Sequence, residues 1–174
     1  MKVGDRVDDF EATDQHGATR RLSELLDAGP VVLYFYPKAF TPGCTREACH
    51  FRDVNAELRA AGGQAVGVSA DAVDRQQAFD EKHSLGFPLL SDPERRLARI
   101  FGVKRPGPIF NKRATFVIDT DRRILAVISS ELNMTVHADR AIEALRARGG
   151  EAQLRGAPQP LGETAPAAGK VRVE

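Results

Sequence analysis

Cysteine is scarce in this chain: two residues in 174, Cys44 and Cys49, standing five positions apart. That is too few for a disulfide scaffold, and in a reducing compartment a close pair points to redox chemistry, metal binding or coincidence. Long apolar runs are missing as well. Nothing approaches the ~18 consecutive apolar residues of a membrane span. The opening stretch, "MKVGDRVDDFEATDQ", is too acidic and polar for a signal peptide, so the cytoplasm is the expected location. An excess of one charge is also lacking. Lys and Arg total 25 against 24 Asp and Glu, a net charge of +1, and the charges are spread rather than blocked. This argues against a nucleic-acid or anionic-membrane footprint. Neither G-x-G-x-x-G nor G-x-x-x-x-G-K-[ST] occurs, and no internal repeat is visible, so nucleotide binding has no support.

What is present is an alternation of strand and helix signals. A chain of this length fits one domain and buries roughly 70% of the surface its unfolded form exposes, enough for a full core. "DFEAT" and "ATRRL" flank the turn "DQHG" as a short hairpin, and Ser23 is placed to cap a brief helix that Gly29 ends. "VVLYFYP", from Val31 to Pro37, is a continuous apolar run that suits a central strand buried on both faces. A helix from about Pro42 to Ala61 and a second buried strand, "QAVGVSAD", complete a β-α-β unit. Two further helices follow, the second with Asp92 as cap and Pro93 at its first position. "ATFVIDTDRRILAVISSE" reads as a hairpin, and "VHADRAIEALRARGG" as a closing amphipathic helix. The pattern is α/β. It predicts one domain over residues 1–148 and a flexible Gly/Pro/Ala-rich tail over 149–174.

The cysteines sit in "PKAFTPGCTREAC", residues 37–49. Thr41 is a good N-cap, Pro42 suits the first helical position, and Gly43 permits close approach of backbone, which places Cys44 in the first helical turn. Unpaired amides and the partial positive charge of a helix N-terminus favour thiolate over thiol there. Cys44, Ala48, Phe51 and Leu58 share one stripe of the helix, whereas Cys49 lies about 140° away, toward Arg52 and Asp53. In an intact helix the two Cα atoms are about 8.6 Å apart, beyond the ~7 Å that a disulfide tolerates. Either these cysteines never pair or the helix unwinds when they do.

Plainer readings stand beside this one. Buried cysteine can serve as a small inert hydrophobe. Cys44, Cys49 and His50 are close in sequence, but no second pair at zinc-ligand spacing accompanies them. His16, His83 and His137 stand in polar surroundings and are read as solvated, Lys38 as exposed, and Glu47 as an ordinary first-turn acid. Arg113, last of the basic residues in "VKRPGPIFNKR", could be a charged loop end before a strand.

The run "FYPKAFTPGCTREACHFRD" resembles the active-site segment of peroxiredoxins, whose signature P-x-x-x-[TS]-x-x-C is matched by Pro37, Thr41 and Cys44. The C-x4-C spacing, with Glu47 between, is similar to the peroxiredoxin Q or bacterioferritin comigratory subfamily. The likeness runs from Val3 to about Arg148 through "VGDRVDDFEATDQHG", "SDPERRLARIFGV" and "RATFVIDTDRRI". It implies a thioredoxin-like fold, a central mixed β-sheet flanked by helices with an N-terminal hairpin. It implies a peroxidatic Cys44 and a resolving Cys49, with Thr41 offering its hydroxyl to the sulfur and peroxide and Pro37 shielding the site. Arg113 falls at the family's active-site arginine. The implied activity is reduction of hydrogen peroxide and organic hydroperoxides through a Cys44 sulfenic acid and a Cys44–Cys49 disulfide. Thioredoxin or a similar dithiol would recycle it, with no cofactor or metal, in a monomer. His50 stands where many relatives are acidic, and the loop from Lys104 to Lys112 is unusually apolar and proline-bearing. Two rivals remain: a thiol-disulfide oxidoreductase, which would be expected to carry C-x-x-C, and a non-catalytic thioredoxin-like module with structural cysteines.

Overall fold

The structure, a computed structural model, describes residues 1–108 and 110–156. Its frame is a seven-stranded mixed sheet. The strands are β1 (Glu11–Thr13), β2 (Thr19–Arg21), β3 (Val31–Phe35), β4 (Gln64–Ser69), β5 (Leu89–Ser91), β6 (Ala114–Ile118) and β7 (Ile124–Ser129). Their order across the sheet is β2-β1-β5-β4-β3-β6-β7. β3 runs parallel to β4 and antiparallel to β6, with Val31 opposite Gln64 on one side and Ile118 on the other. Flanked on both sides and covered on both faces, β3 is buried at all five positions, as its unbroken apolar run requires. The hairpin β1–β2 forms around Asp14–Ala18 as expected and docks antiparallel on β5.

The side chains of β3 alternate between two cores. Val31, Leu33 and Phe35 meet Phe10, Leu22, Phe101 and Phe116, beneath α1 (Leu22–Asp27) and α5 (Arg96–Ile100). Val32, Tyr34 and Tyr36 meet the other face, where α2 (Pro42–Asp53), α3 (Asn55–Ala60), α4 (Val73–His83) and α6 (Val136–Gly156) pack. Tyr34 stacks on Phe51 of α2 at 4.4 Å. Gly67 makes room for that tyrosine: a Cβ there would stand 2.9 Å from its hydroxyl.

Several local expectations are corrected. The single helix over Pro42–Ala61 is bent at Val54, where φ is −96° and ψ 9°. The hydrogen bonds Val54 N–H to His50 C=O and Leu58 N–H to Val54 C=O carry across the bend, so Leu58 stays fully buried. Asp53, Val54 and Asn55 are three weak helix formers in succession, which explains its place. Ser23 does not cap α1. It lies inside the helix, and its N–H and hydroxyl both donate to the Asp9 carboxylate, at 2.9 and 2.8 Å. Asp92 does act as a capping carboxylate, accepting from the amides of Arg96, Leu97 and Ala98, but the helix begins at Arg96 rather than Pro93 because Asp92–Arg95 closes a turn first. α6 runs through Gly149 and Gly150 to Gly156, further than the expected boundary at residue 148. A glycine costs about 1 kcal/mol in a helix, which strong formers on both sides can offset. The rest of the expected tail, 157–174, lies outside the described residues. Among the described residues no helix is long and apolar enough to cross a membrane.

Candidate active site

The site begins where β3 ends. Tyr36 N–H still pairs with Val68 C=O, but Pro37 has no N–H to continue the ladder and the chain turns away. The turn is pinned from the loop between β4 and α4: Ala39 N–H donates to Asp71, and Arg75 donates to Ala39 C=O. Phe40 is held at φ 67°, a left-handed conformation that is a real outlier for a bulky side chain. Contacts with the Phe79 ring at 5.2 Å and the Arg75 guanidinium at 5.2 Å hold it there. Strain of this kind clusters at functional sites.

Thr41 is the N-cap of α2 and Pro42 its first residue, as the sequence predicts. Cys44 lies in the first turn with only 1% of its surface exposed, and Ala48 and Phe51 continue the buried stripe. Arg113, immediately before β6, reaches across to it. Its Nη2 donates to Cys44 Sγ at 3.3 Å, and its Nη1 donates to Glu47 Oε2. Gly43 leaves space for this contact, since a Cβ there would stand 3.3 Å from Arg113 Nη2 and from Met134 Cε. The reading of Arg113 as a charged loop end therefore gives way to a buried guanidinium hydrogen-bonded to Glu47 beside a thiol.

Glu47 is not a solvated first-turn acid. It is wholly buried one turn after Cys44, and burial pushes its carboxyl up to about 8, with Arg113 pulling the other way. Desolvation would lower the Arg113 pKa, but Glu47 and Cys44 outweigh it and the guanidinium is held firmly charged. His137 is a second correction. It is fully buried, hydrogen-bonded through Nδ1 to the Thr115 hydroxyl and through Nε2 to Ser130 C=O, both at 2.9 Å. Burial lowers its pKa and favours neutral imidazole. Its Nδ1 stands 3.8 Å from Glu47 Oε1. Neither Glu47 Oε1 nor Arg113 Nε has a hydrogen-bond partner among the described residues, so buried polar capacity remains beside the thiol.

The other predicted residues are placed less uniformly. Pro37 is half-buried at the strand end. The Thr41 hydroxyl donates to Lys38 C=O at 3.0 Å rather than to the sulfur. Lys38 is half-buried, not exposed, with its Nζ 5.5 Å from the Phe110 ring, so the apolar loop before Arg113 does border the entry turn. Cys49 stands on a different side of α2 from Cys44, half-buried, and both thiols are free. Its Sγ is 3.9 Å from His83 Nδ1, so His83 too is packed rather than merely solvated. His50 pairs with Asp139 at 2.8 Å. Glu47, His137 and Met134 were not among the residues that sequence reasoning placed in the site. For Glu47 a signal existed: an acid one turn from the thiol, on the face that Ala48 and Phe51 mark as buried.

Comparison with known proteins bears on the family and the fold. Residues 3–127 match the model of the AhpC/TSA family. Over 131 residues the chain is 40% identical to peroxiredoxin Bcp of Bacillus subtilis, covering 72% of this chain and 83% of that one. It superposes on the crystal structure of peroxidoxin BcpB from Mycobacterium tuberculosis with a TM-score of 0.82 at 55% identity, covering 84% of this chain and 97% of the other. A Xylella fastidiosa PrxQ structure aligns with a TM-score of 0.79 at 27% identity, covering 86% and 98%. The family match, the sequence identities and the shared thioredoxin-like fold converge: this chain belongs to the AhpC/TSA family and is a peroxiredoxin of the Bcp/Q kind, a thiol-dependent peroxidase.

Proposed function

We propose that Cys44 is the peroxidatic cysteine and Cys49 the resolving one, with hydrogen peroxide and organic hydroperoxides as substrates. The observation that carries this is the Arg113 Nη2 contact to Cys44 Sγ, 3.3 Å, at the buried start of α2. The Cys44 thiolate attacks one peroxide oxygen, the O–O bond breaks, and water or an alcohol leaves. Negative charge spreads from sulfur over two oxygens, and Arg113, with the first-turn amides, is preorganised to stabilise it. Pro37 and the Phe40 turn limit water at the sulfur. Thr41, whose hydroxyl hydrogen is engaged by Lys38, keeps oxygen lone pairs with which to accept from the peroxide O–H.

The sulfenic acid then condenses with the Cys49 thiol, releasing water and forming a disulfide. A dithiol of the thioredoxin type reopens it by exchange. The cycle belongs in a reducing compartment such as the cytoplasm, where that reductant is available. Peroxide consumption with a thioredoxin system present tests the assignment. Cys44→Ser should lose activity altogether. Cys49→Ser should reduce about one equivalent and stop as a sulfenic acid. Undiminished thioredoxin-linked turnover in Cys49→Ser would remove Cys49 from the mechanism.

A further inference from the structure

The resolving half of the reaction needs its own proton acceptor. A cysteine thiol is mostly protonated at neutral pH, and only the thiolate attacks sulfur efficiently. Arg113 and Glu47 serve the Cys44 side of α2, so any acceptor for Cys49 must come from the other side. His83, the last residue of α4, stands there with Nδ1 3.9 Å from Cys49 Sγ.

We propose that His83 is the general base that takes the Cys49 proton when the disulfide forms, which makes it a catalytic residue of the resolving step. The proposal rests on Cys49 being the resolving cysteine. The step balances. His83 Nδ1 accepts the Cys49 S–H proton, the thiolate attacks the Cys44 sulfenic sulfur, and the S–O bond breaks. Hydroxide leaves and becomes water with the proton that His83 returns directly or through solvent.

The surroundings of the imidazole favour that role. It is half-buried, so it can exchange its proton with water. The charges that act on it are cationic, Arg52 from α2 and Lys82 from its own helix, and the Cys49 thiol faces it from α2. Burial comes first, and with those cations it lowers the imidazole pKa, keeping the ring neutral and able to accept at pH 7. Phe79, at 5.1 Å, and Phe40, at 6.4 Å, flank the ring and fix its orientation. Arg52 donates to His83 C=O at 2.7 Å, tying the second half of α2 to the end of α4. Cys49 can therefore stay against His83 while the first turns of α2 release Cys44 toward it.

The test follows the sulfenic acid after one equivalent of peroxide, by acid quench and mass spectrometry, from pH 6.5 to 9.5. General-base catalysis contributes typically ~10²–10⁴, and a thiol needs less help than a hydroxyl, so His83→Gln should slow disulfide formation roughly ten- to a hundredfold at pH 7. The deficit should shrink as pH rises and solvent hydroxide removes the proton unaided. His50→Gln, which alters the histidine that follows Cys49 on α2 and pairs with Asp139, should resolve like wild type. A His83→Gln rate within twofold of wild type at pH 7 overturns the proposal, as does a deficit that is equal at every pH, which marks packing rather than proton transfer. Failure of the underlying reading looks different: wild type itself would form no Cys44–Cys49 disulfide.

Discussion

The two cysteines share one helix and little else. Cys44 has 1% of its surface exposed, lies at the end of α2 where amides are unpaired, and is held by a buried arginine that a buried glutamate anchors. Cys49, little more than a turn later, is half-buried against the exposed end of another helix, beside a histidine and a surface arginine. The first environment is rigid and dry, suited to stabilising charge that develops in a transition state. The second can exchange protons with water and admit a partner thiol. Division of labour between two chemically identical groups thus follows from which face of a helix each occupies.

The comparison breaks most sharply at Arg113. Replacing it with Met should slow the reaction of Cys44 with peroxide by roughly 10²–10³, the usual cost of one lost transition-state donor. Disulfide formation from an already oxidised Cys44 should change far less, because Arg113 does not touch Cys49. The fold should survive. Burial pushes Glu47 up to about 8 even with Arg113 beside it, so without Arg113 its carboxyl stays protonated rather than becoming a buried unpaired charge. Stopped-flow peroxide consumption beside the quench assay reads both steps. If Arg113→Met reacts with peroxide as fast as wild type, its place in the first step is wrong.

How much of this contrast was legible beforehand depended on how far each residue's partners lay in sequence. The start of α2, the stripe from Cys44 to Phe51, and strand β3 rest on local patterns of capping and periodicity, and all appear as read. β5 was missed because three residues, Leu89–Ser91, are too few to show alternation. The buried states of Glu47 and His137 were missed for a different reason. Their polar partners, Arg113, Thr115 and Ser130, come from β6 and from the chain after β7, and nothing local marks such a pairing. Arg113 itself was found only through resemblance. The bend at Val54 is intermediate: its weak helix formers were visible, but tertiary burial of Leu58 decides that the chain bends rather than ends.

A second way to sharpen the contrast is to watch α2 open. It is continuous from Pro42 to Asp53, so the two Cα atoms stand about 8.6 Å apart, too far for a disulfide. Oxidation should melt the turns that carry Cys44 while Arg52 and Leu58 stay docked. Amides from Thr45 to about Cys49 should lose hydrogen-exchange protection in the oxidised protein, and those near Leu58 should keep it. Ala48 loses packing and Phe51 loosens on Tyr34. Burial of a side chain like Phe51 is worth about 1.5–3 kcal/mol, so even partial loss lowers protection several-fold or more, and reduction restores it. If the disulfide forms and those amides remain as protected as before, the sulfurs meet by another route.

The smallest expected effect concerns His137, which belongs to the dry side of the comparison. Its ring nitrogens are both engaged, by Thr115 and Ser130, and burial lowers its pKa below the ordinary value near 6.5. The sign follows from proton counting. Below about 6.5 the unfolded chain binds a proton at this histidine that the folded one refuses, so its contribution to stability is complete above that pH and fades as pH falls. Glu47 runs the opposite way, because its raised pKa favours the fold at low pH and loses that advantage as pH climbs toward 8. Urea midpoints of wild type and His137→Asn, at pH 7.5 and 5.5, separate the two, since Glu47 is common to both proteins. The variant should be less stable at pH 7.5, having lost a buried hydrogen-bonded ring, and the gap should narrow at pH 5.5, where wild type alone pays to keep an imidazole neutral. A gap of constant size at both pH values would mean that His137 titrates in the folded protein as it does in the unfolded chain, and the buried, dry description of this side of α2 would not hold.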